Sequence, residues 1–342
     1  MKFLFIFLYL VSLNIFARPS IGLNGNVNSI EKSDIDMEMA KKWFEHYYNE
    51  GKERFELAFA RGDKYKKSIE LVLAKYEIPI DFYYLAMTES YFENEAKSNV
   101  GALGIWQFMA GTAKNYGLEV NEKIDERLHP VKSTIAAAKY LKDLYNIFQS
   151  WTLAAAAYNC GEYRVLAAIK KAGSRSFPVL SNKKLLPSET INYISKIWVT
   201  REIDNRLREA TKNIFDDLYI DTHPLKINSS EISLNTLSLI LELGVEDIKK
   251  LNPDILKNED VQLGEKTLYL PKENANLYYE FIQNNGVVSR VKTPKTLKGW
   301  GLGESKLGDS IKITFLNNEK IKIRNIRTKN EVIVDRKDLI KI

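Results

Sequence analysis

Up to about residue 213 the apolar positions recur at helical spacing, and only beyond that point do they alternate as in strands. Between Asp36 and about Ala60 the apolar set is Trp43, Phe44, Tyr47 and Tyr48, then Phe55, Leu57 and Phe59. Gly51 interrupts it, so two helices are predicted. A further helix is expected from about Lys64 to Tyr76, where Pro79 stops it and Asp81 is placed to cap the next. That next helix contains Tyr84, Leu85, Ala86 and Met87 and carries Glu89. Downstream, Ser133 or Thr134 should open the alanine-rich helix "TIAAAKYLKDLYNIF". The stretch "WTLAAAAYN" predicts a second helix and "EYRVLAAIKKAG" a third, closing on Gly173, and their small residues permit close approach. Pro187 and Ser188 then start a long helix through "ETINYISKIWVTREIDNRL". Residues 36–215 are therefore expected to form an all-helical domain.

After "IFDDLYIDTHPLKI" the pattern changes. Residues 216–285 read as a small α+β module: a short strand, the helices "LNTLSLILELG" and "VEDIKKLNP", and a closing strand "KTLYLP". Residues 286–342 read as a small β module, with "SIKITF", "KIKIRNIR" and "EVIVD" separated by polar turns, and a small barrel is expected there. The fold class is thus mainly α, a helical domain followed by two small accessory modules. Residues 18–35, rich in Asn, Gly and Ser, are expected to be a flexible leader.

Composition narrows the setting. At 45% hydrophobic and 11% aromatic the chain can bury cores and is not disordered by composition. Lys2 precedes the apolar stretch "FLFIFLYLVSLNIF", which ends at Ala17. This predicts a signal peptide over residues 1–17 and export to the periplasm. Ile15 stands where a small residue is usual, so an uncleaved, membrane-associated anchor is the alternative. No cysteine follows the stretch, so a lipoprotein is not expected, and the single Cys160 cannot form an internal disulfide. The net charge of +6 is diffuse; it suits an acidic polymer as well as ordinary solubility, and no nucleic-acid partner is expected.

Against that background "ESYFENEAKSNVGALGIWQFM", residues 89–109, places one carboxylate after an apolar helical run and ahead of glycine turns at Gly101 and Gly104. Cleaving a glycosidic bond needs an acid on the leaving oxygen, and most glycosidases add a second carboxylate. Apolar surroundings raise a carboxyl pKa toward the general-acid range. Ser98, Gln107 and Tyr158 offer hydroxyl and amide groups able to hold a sugar, and the glycine turns would let backbone approach it. A lone helical glutamate is more often a solvated surface residue, so its motif context decides.

That context is specific. "ES" at 89–90, "KSNVGALGIWQFM" at 97–109, "AAYNCG" at 156–161 and "LPSETINY" at 186–193 resemble, in order, the motifs of the family 1 lytic transglycosylases. These are the soluble-lytic-transglycosylase type of goose-lysozyme-like domain. "TAKNYGL" (112–118) and "DERLHPVKSTIAAAKYL" (125–141) widen the match and make it most similar to the D-type members. The resemblance covers about residues 40–210.

It implies a lysozyme-like helical fold and a peptidoglycan lytic transglycosylase that needs no cofactor and no metal. Glu89 then matches the sole catalytic acid/base, and Ser98 the serine that hydrogen-bonds near the N-acetyl group of the reacting sugar. Gln107 and Met109 match cleft positions of a Gly-Leu-Met-Gln-like motif, here "GIWQ", with Trp106 in place of the usual methionine. Tyr158 and Asn159 belong to the Ala-Tyr-Asn motif, whose hydroxyl points toward the reaction centre. Glu189 and Tyr193 would line or brace the cleft. In this family one glutamate first protonates the oxygen between N-acetylmuramic acid and N-acetylglucosamine. It then deprotonates the muramoyl C6 hydroxyl, which closes onto C1 as a 1,6-anhydro end.

Other residues have plainer readings. Trp106 and Tyr91 flank the catalytic segment and are the candidate sugar platforms, whereas Trp43, Tyr47 and Tyr48 are expected in the core. Asp125 is expected to hold helices through a salt bridge, and Glu93 and Glu95 to face solvent. His46, His129 and His223 lack metal-ligand spacing, and Cys160 reads as a small packed residue. Residues 222–275 resemble a divergent LysM-type unit, with "SLNTLS" where Gly-Asp-Thr is usual. The expected partners are peptidoglycan glycan strands, together with cell-wall or membrane-associated proteins held by the C-terminal modules. A hydrolase (muramidase) of the same fold and a non-catalytic peptidoglycan-binding scaffold are the competing readings.

Overall fold

The computed structural model of the chain describes residues 29–210, 222–227, 234–256, 266–283, 287–288, 311–315, 320–325 and 330–335. The signal segment expected over residues 1–17 lies outside them, as does the leader through residue 28. Contacts divide the chain into a helical unit within residues 1–219 and a second unit within 220–342 that also takes in Asn121–Ile124.

The helical unit begins earlier than its helices. Ile30 and Ile35 are buried on either side of a single 3-10 turn, Lys32–Asp34. The end of the expected flexible leader is thus part of the core, and an internal ion pair explains why. The Arg201 guanidinium donates to Asp81 Oδ2 at 2.6 Å and to the Ile30 carbonyl at 3.2 Å, while the Ile30 N–H donates to the same carboxylate. Asp81 therefore anchors this segment and makes no side-chain cap of the following helix, contrary to the expectation from its position.

Helix α1 (Met37–Tyr48) starts at Asp36, whose carboxylate accepts the N–H groups of Glu38 and Met39. Helix α2 (Lys52–Lys75) is continuous over 24 residues, where the sequence pattern predicts two pieces. Its Gly62 is no breaker. A Cβ there would collide with the Tyr83 hydroxyl and the Phe92 ring, so this glycine permits close packing against the next helix. That helix, α3 (Phe82–Ser90), is buried continuously from Phe82 to Met87, and so it shows no amphipathic face.

Short α4 (Ala110–Asn115) leads to α5 (Pro130–Phe148). The latter opens one turn before the expected Ser133 or Thr134, because His129 Nδ1 accepts the Val131 N–H at 3.2 Å and Pro130 supplies a preset first residue. The two hydroxyls instead bond back to the carbonyls of His129 and Pro130. Helices α6 (Trp151–Cys160), α7 (Glu162–Ala172), α8 (Phe177–Asn182) and α9 (Ser188–Ala210) complete the unit, and α7 ends on left-handed Gly173 as expected. Ala154 to Ala157 are fully buried, which lets α6 lie against α5, α7 and α9 at short range.

In the second unit β1 (Thr222–Lys226) pairs antiparallel with β2 (Thr267–Pro271), setting Leu225 opposite Leu268. Between them run α10 (Leu234–Leu241) and α11 (Val245–Leu251). The Asn252 amide locks this arrangement: it donates to the Ile248 and Tyr269 carbonyls and accepts the Tyr269 N–H. Helix α12 (Lys272–Gln283), absent from the sequence reading, buries Ala275, Tyr278 and Phe281 on one face. Strands β3 (Val287–Val288), β4 (Ile311–Phe315), β5 (Lys320–Asn325) and β6 (Glu331–Asp335) form an antiparallel sheet in that order. Among the described residues β3 and β6 stay unpaired with each other, so a sheet stands where a barrel was expected. Ile323 of β5 is fully buried in the same core as Leu225 and Leu268. The two expected modules therefore share one core.

Candidate active site

Helix α3 delivers Glu89 at its last turn, just after the buried run Phe82–Met87, and α9 meets it with a face of its own. Glu189, Tyr193 and Lys196 follow one another at i, i+4 and i+7 along that face. The Tyr193 hydroxyl donates to Glu89 Oε1 at 2.5 Å. Burial is the main influence on Glu89 and pushes its carboxyl up to about 7. The Tyr193 hydrogen bond and the Lys196 charge pull it down, and the Glu189 charge adds to the rise.

The neighbouring phenols respond to the same environment. Burial, followed by the nearby Glu89 charge, raises both Tyr158 and Tyr193 well above the usual phenol range, so both remain neutral donors. Burial lowers the Lys196 ammonium, while Glu189 and Glu89 support its charge. Its Nζ also sits 4.1 Å over the Trp43 ring, which compensates lost solvation.

The segment between α3 and α4 forms the second wall. Tyr91 and Phe92 both take left-handed backbone conformations and turn the chain back, after which single bridges join Lys97 to Leu103 and Leu103 to Phe108. The Ser98 hydroxyl oxygen accepts the Ala102 N–H at 3.0 Å, which leaves its proton to donate to a ligand. Gly101, at φ +88°, has open space where a side chain would stand, so the backbone is accessible there. Gly104 has a different reason. A side chain would strike the Arg127 carbonyl, so it serves close packing within the protein and not approach to a ligand.

Several candidate residues turn out to brace the site. The Gln107 amide donates to the carbonyls of Ala96 and Gly104, both at 2.9 Å, and so ties the loop. Trp106 is fully buried; its Nε1 donates to Thr134 Oγ1 at 2.8 Å and its carbonyl accepts the Tyr158 hydroxyl at 2.7 Å. It cannot be a sugar platform, because a large indole with a satisfied N–H is held in the core. Tyr91 is half-buried, and the Arg54 guanidinium covers one ring face at 4.1 Å. Asn159 Oδ1 accepts from Thr190 Oγ1 at 2.8 Å, fastening α6 to α9 beside Glu89. Met109 is 44% exposed and Glu189 lies at the surface of the first turn of α9.

Asp125 acts as expected, in a buried pair with Arg127 (Nη2–Oδ2 2.7 Å). That guanidinium also donates to the carbonyls of Gly101 and Phe108 and pins both ends of the Ser98 loop. Glu93 pairs with Arg61 at 3.0 Å, and Glu95 is exposed. The sequence reading missed Arg127 and Lys196. The helical spacing of Lys196 from Glu189 and Tyr193 was the available signal for it.

Residues 67–180 match the family model described as the Transglycosylase SLT domain. The chain is 28% identical over 231 residues to "Membrane-bound lytic murein transglycosylase D" of Escherichia coli, a match covering 67% of this chain and 51% of that protein. It thus spans about half the length of that relative. Over 83 residues it is 47% identical to "Peptidoglycan transglycosylase gp16" of Escherichia phage T7, covering 24% of this chain and 6% of that one. Among solved structures, the 70 kDa soluble lytic transglycosylase of Escherichia coli is 25% identical with a TM-score of 0.36, over 43% of this chain and 24% of its own. The matched segment contains Glu89, Ser98, Gln107, Tyr158 and Asn159, while Tyr193 and Lys196 lie beyond it on α9. Over residues 67–180, then, the chain is similar to the Transglycosylase SLT domain family.

Proposed function

We propose that the chain is a peptidoglycan lytic transglycosylase in which Glu89 acts alone, first as acid and then as base. The observation that carries this reading is the Glu89 carboxyl itself, largely buried, hydrogen-bonded by Tyr193 and raised to about 7. A group poised there is half protonated at neutral pH, so it serves either role with little penalty.

The steps follow from that poise. Protonated Glu89 gives its proton to the glycosidic oxygen between N-acetylmuramic acid and N-acetylglucosamine as the C1–O bond breaks. The charge at C1 is taken up by the substrate's own N-acetyl group, near which Ser98 can donate its hydroxyl proton. Tyr193 and Lys196 stabilise the carboxylate that remains. That carboxylate then removes the C6 hydroxyl proton, and O6 closes onto C1 to give the 1,6-anhydro end. Intramolecular attack gains from proximity and dispenses with a bound water.

Export to the periplasm, by the predicted signal peptide, fits this substrate. The β1–α10–α11–β2 order with its antiparallel pair supports a LysM-like module that holds glycan strands. Cell-wall or membrane-associated proteins are the proposed partners of the remaining sheet.

Mass spectrometry of muropeptides released from purified sacculi tests the reading. Anhydro-muropeptides from the wild type and none from Glu89→Gln are expected. Products one water heavier would make the enzyme a muramidase. Release of nothing by a wild-type chain that binds sacculi would leave a scaffold.

A further inference from the structure

Lys196 is half-buried near Glu89, yet its ammonium makes no ion pair or hydrogen bond with any described residue. What meets the nitrogen is the face of the Trp43 ring, 4.1 Å away on α1. A lysine stem is flexible and its ammonium strongly hydrated, so a half-buried position has to be held. Trp43 suits that task and little else. Its indole N–H is buried and finds no acceptor among the described residues, a penalty that a phenyl ring in the same place would not bring. What indole adds over phenyl is the stronger face for a cation.

The surrounding charges show what the contact prevents. Glu189 and Tyr193 share the α9 face with Lys196, Glu89 comes from α3 and Tyr158 from α6, and His46 and Tyr47 flank Trp43 on α1. Of the two carboxylates that favour the Lys196 charge, Glu189 acts more strongly than Glu89. Glu189 is exposed, so an unrestrained ammonium would be drawn to it and to solvent, and Glu89 would lose its nearby cation.

We propose that Trp43 is a positioning residue for the reaction: its ring holds the Lys196 ammonium beside Glu89, so that helix α1 supplies part of the charge environment of the acid/base. Both residues lie outside the matched segment 67–180. The inference rests on Glu89 being the acid/base of the proposed reaction and adds a residue that acts through another.

Carbon-13 NMR of the glutamate side-chain carboxyls, followed from about pH 4 to pH 10, tests it, with the Glu89 signal identified by its loss in Glu89→Gln. Lys196→Met removes the cation and should move the Glu89 midpoint up by about one unit, the low end for a nearby opposite charge that makes no ion pair. Trp43→Leu should move it up by about half as much, because the ammonium then spends part of its time in solvent. Trp43→Phe keeps a weaker face and should fall between Trp43→Leu and the wild type. In the double variant Trp43→Leu adds nothing to Lys196→Met. The alkaline limb of kcat/KM should follow the same order. A purely structural role for Trp43 gives the opposite sign, since loosened packing admits water and eases ionisation of Glu89. A downward move for Trp43→Leu, no move, or an equal move with Lys196→Met present overturns the proposal. The carboxyl signal is read whatever the products are. Were the wild type to release no anhydro-muropeptides while Trp43 and Lys196 still shifted that signal together, the positioning would stand and the transglycosylase reading would fall.

Discussion

Replacing Glu89 by Gln should cost the protein its catalyst and yet stabilise it, by an amount that depends on pH. The carboxyl titrates near 4.5 in an unfolded chain and near 7 in the folded one, because burial penalises its anion. Below pH 4.5 both states hold the proton and the group contributes nothing. As pH rises from 4.5 to 7 only the unfolded state ionises freely, so folding stability falls, and above 7 the loss is complete. A displacement of that size corresponds to about 3 kcal/mol, an upper value because Glu89 retains some solvent contact. Glutamine is uncharged, similar in shape, and can still accept the Tyr193 hydrogen bond. The variant should therefore match the wild type at pH 4 and exceed it by up to about 3 kcal/mol at pH 8. Urea unfolding followed by tryptophan fluorescence reads this, since Trp43, Trp106, Trp151 and Trp198 all lie in the helical unit. A stability difference that is flat with pH, or larger at pH 4 than at pH 8, would refute the account of Glu89 as a carboxyl held against its charge by burial.

Three further outcomes are expected. Tyr193→Phe removes the bond that favours the carboxylate, so the alkaline limb of the pH–kcat/KM profile should move up by about one unit, whereas Glu189→Gln removes a like charge and should move it down. Gly62→Ala should lower stability by about 1–3 kcal/mol in thermal unfolding, because the methyl meets the Tyr83 hydroxyl and the Phe92 ring and outweighs the gain in helix propensity. Arg201→Met leaves Asp81 buried without its cation and strips the Ile30 carbonyl of a donor; a loss of about 3–5 kcal/mol is expected, with early hydrogen exchange at residues 29–35 as its local signature.

The sequence by itself determined the elements whose signals are local. Helices α3, α6, α7 and α9 were legible because apolar runs, alanine content, Pro187 and Gly173 all act within a few residues of where they stand. Glu89, Ser98 and Tyr158 were legible as candidates because their motifs come in a fixed order along the chain. What each polar or special residue does was decided only in three dimensions. Gly62 carries no signal of its role in its neighbours and is a packing contact, since Tyr83 and Phe92 arrive from later in the chain. Asp81 reads as a cap and is half of an ion pair with Arg201, 120 residues away. Trp106 reads as a platform and is buried against Thr134. The pKa of Glu89 belongs to the same class. Its carboxyl is set by burial, by Tyr193 and by two opposite charges on α9, which come together only when that helix crosses α3. Periodicity and capping are properties of neighbouring residues, whereas burial and charge pairing depend on which distant surfaces meet.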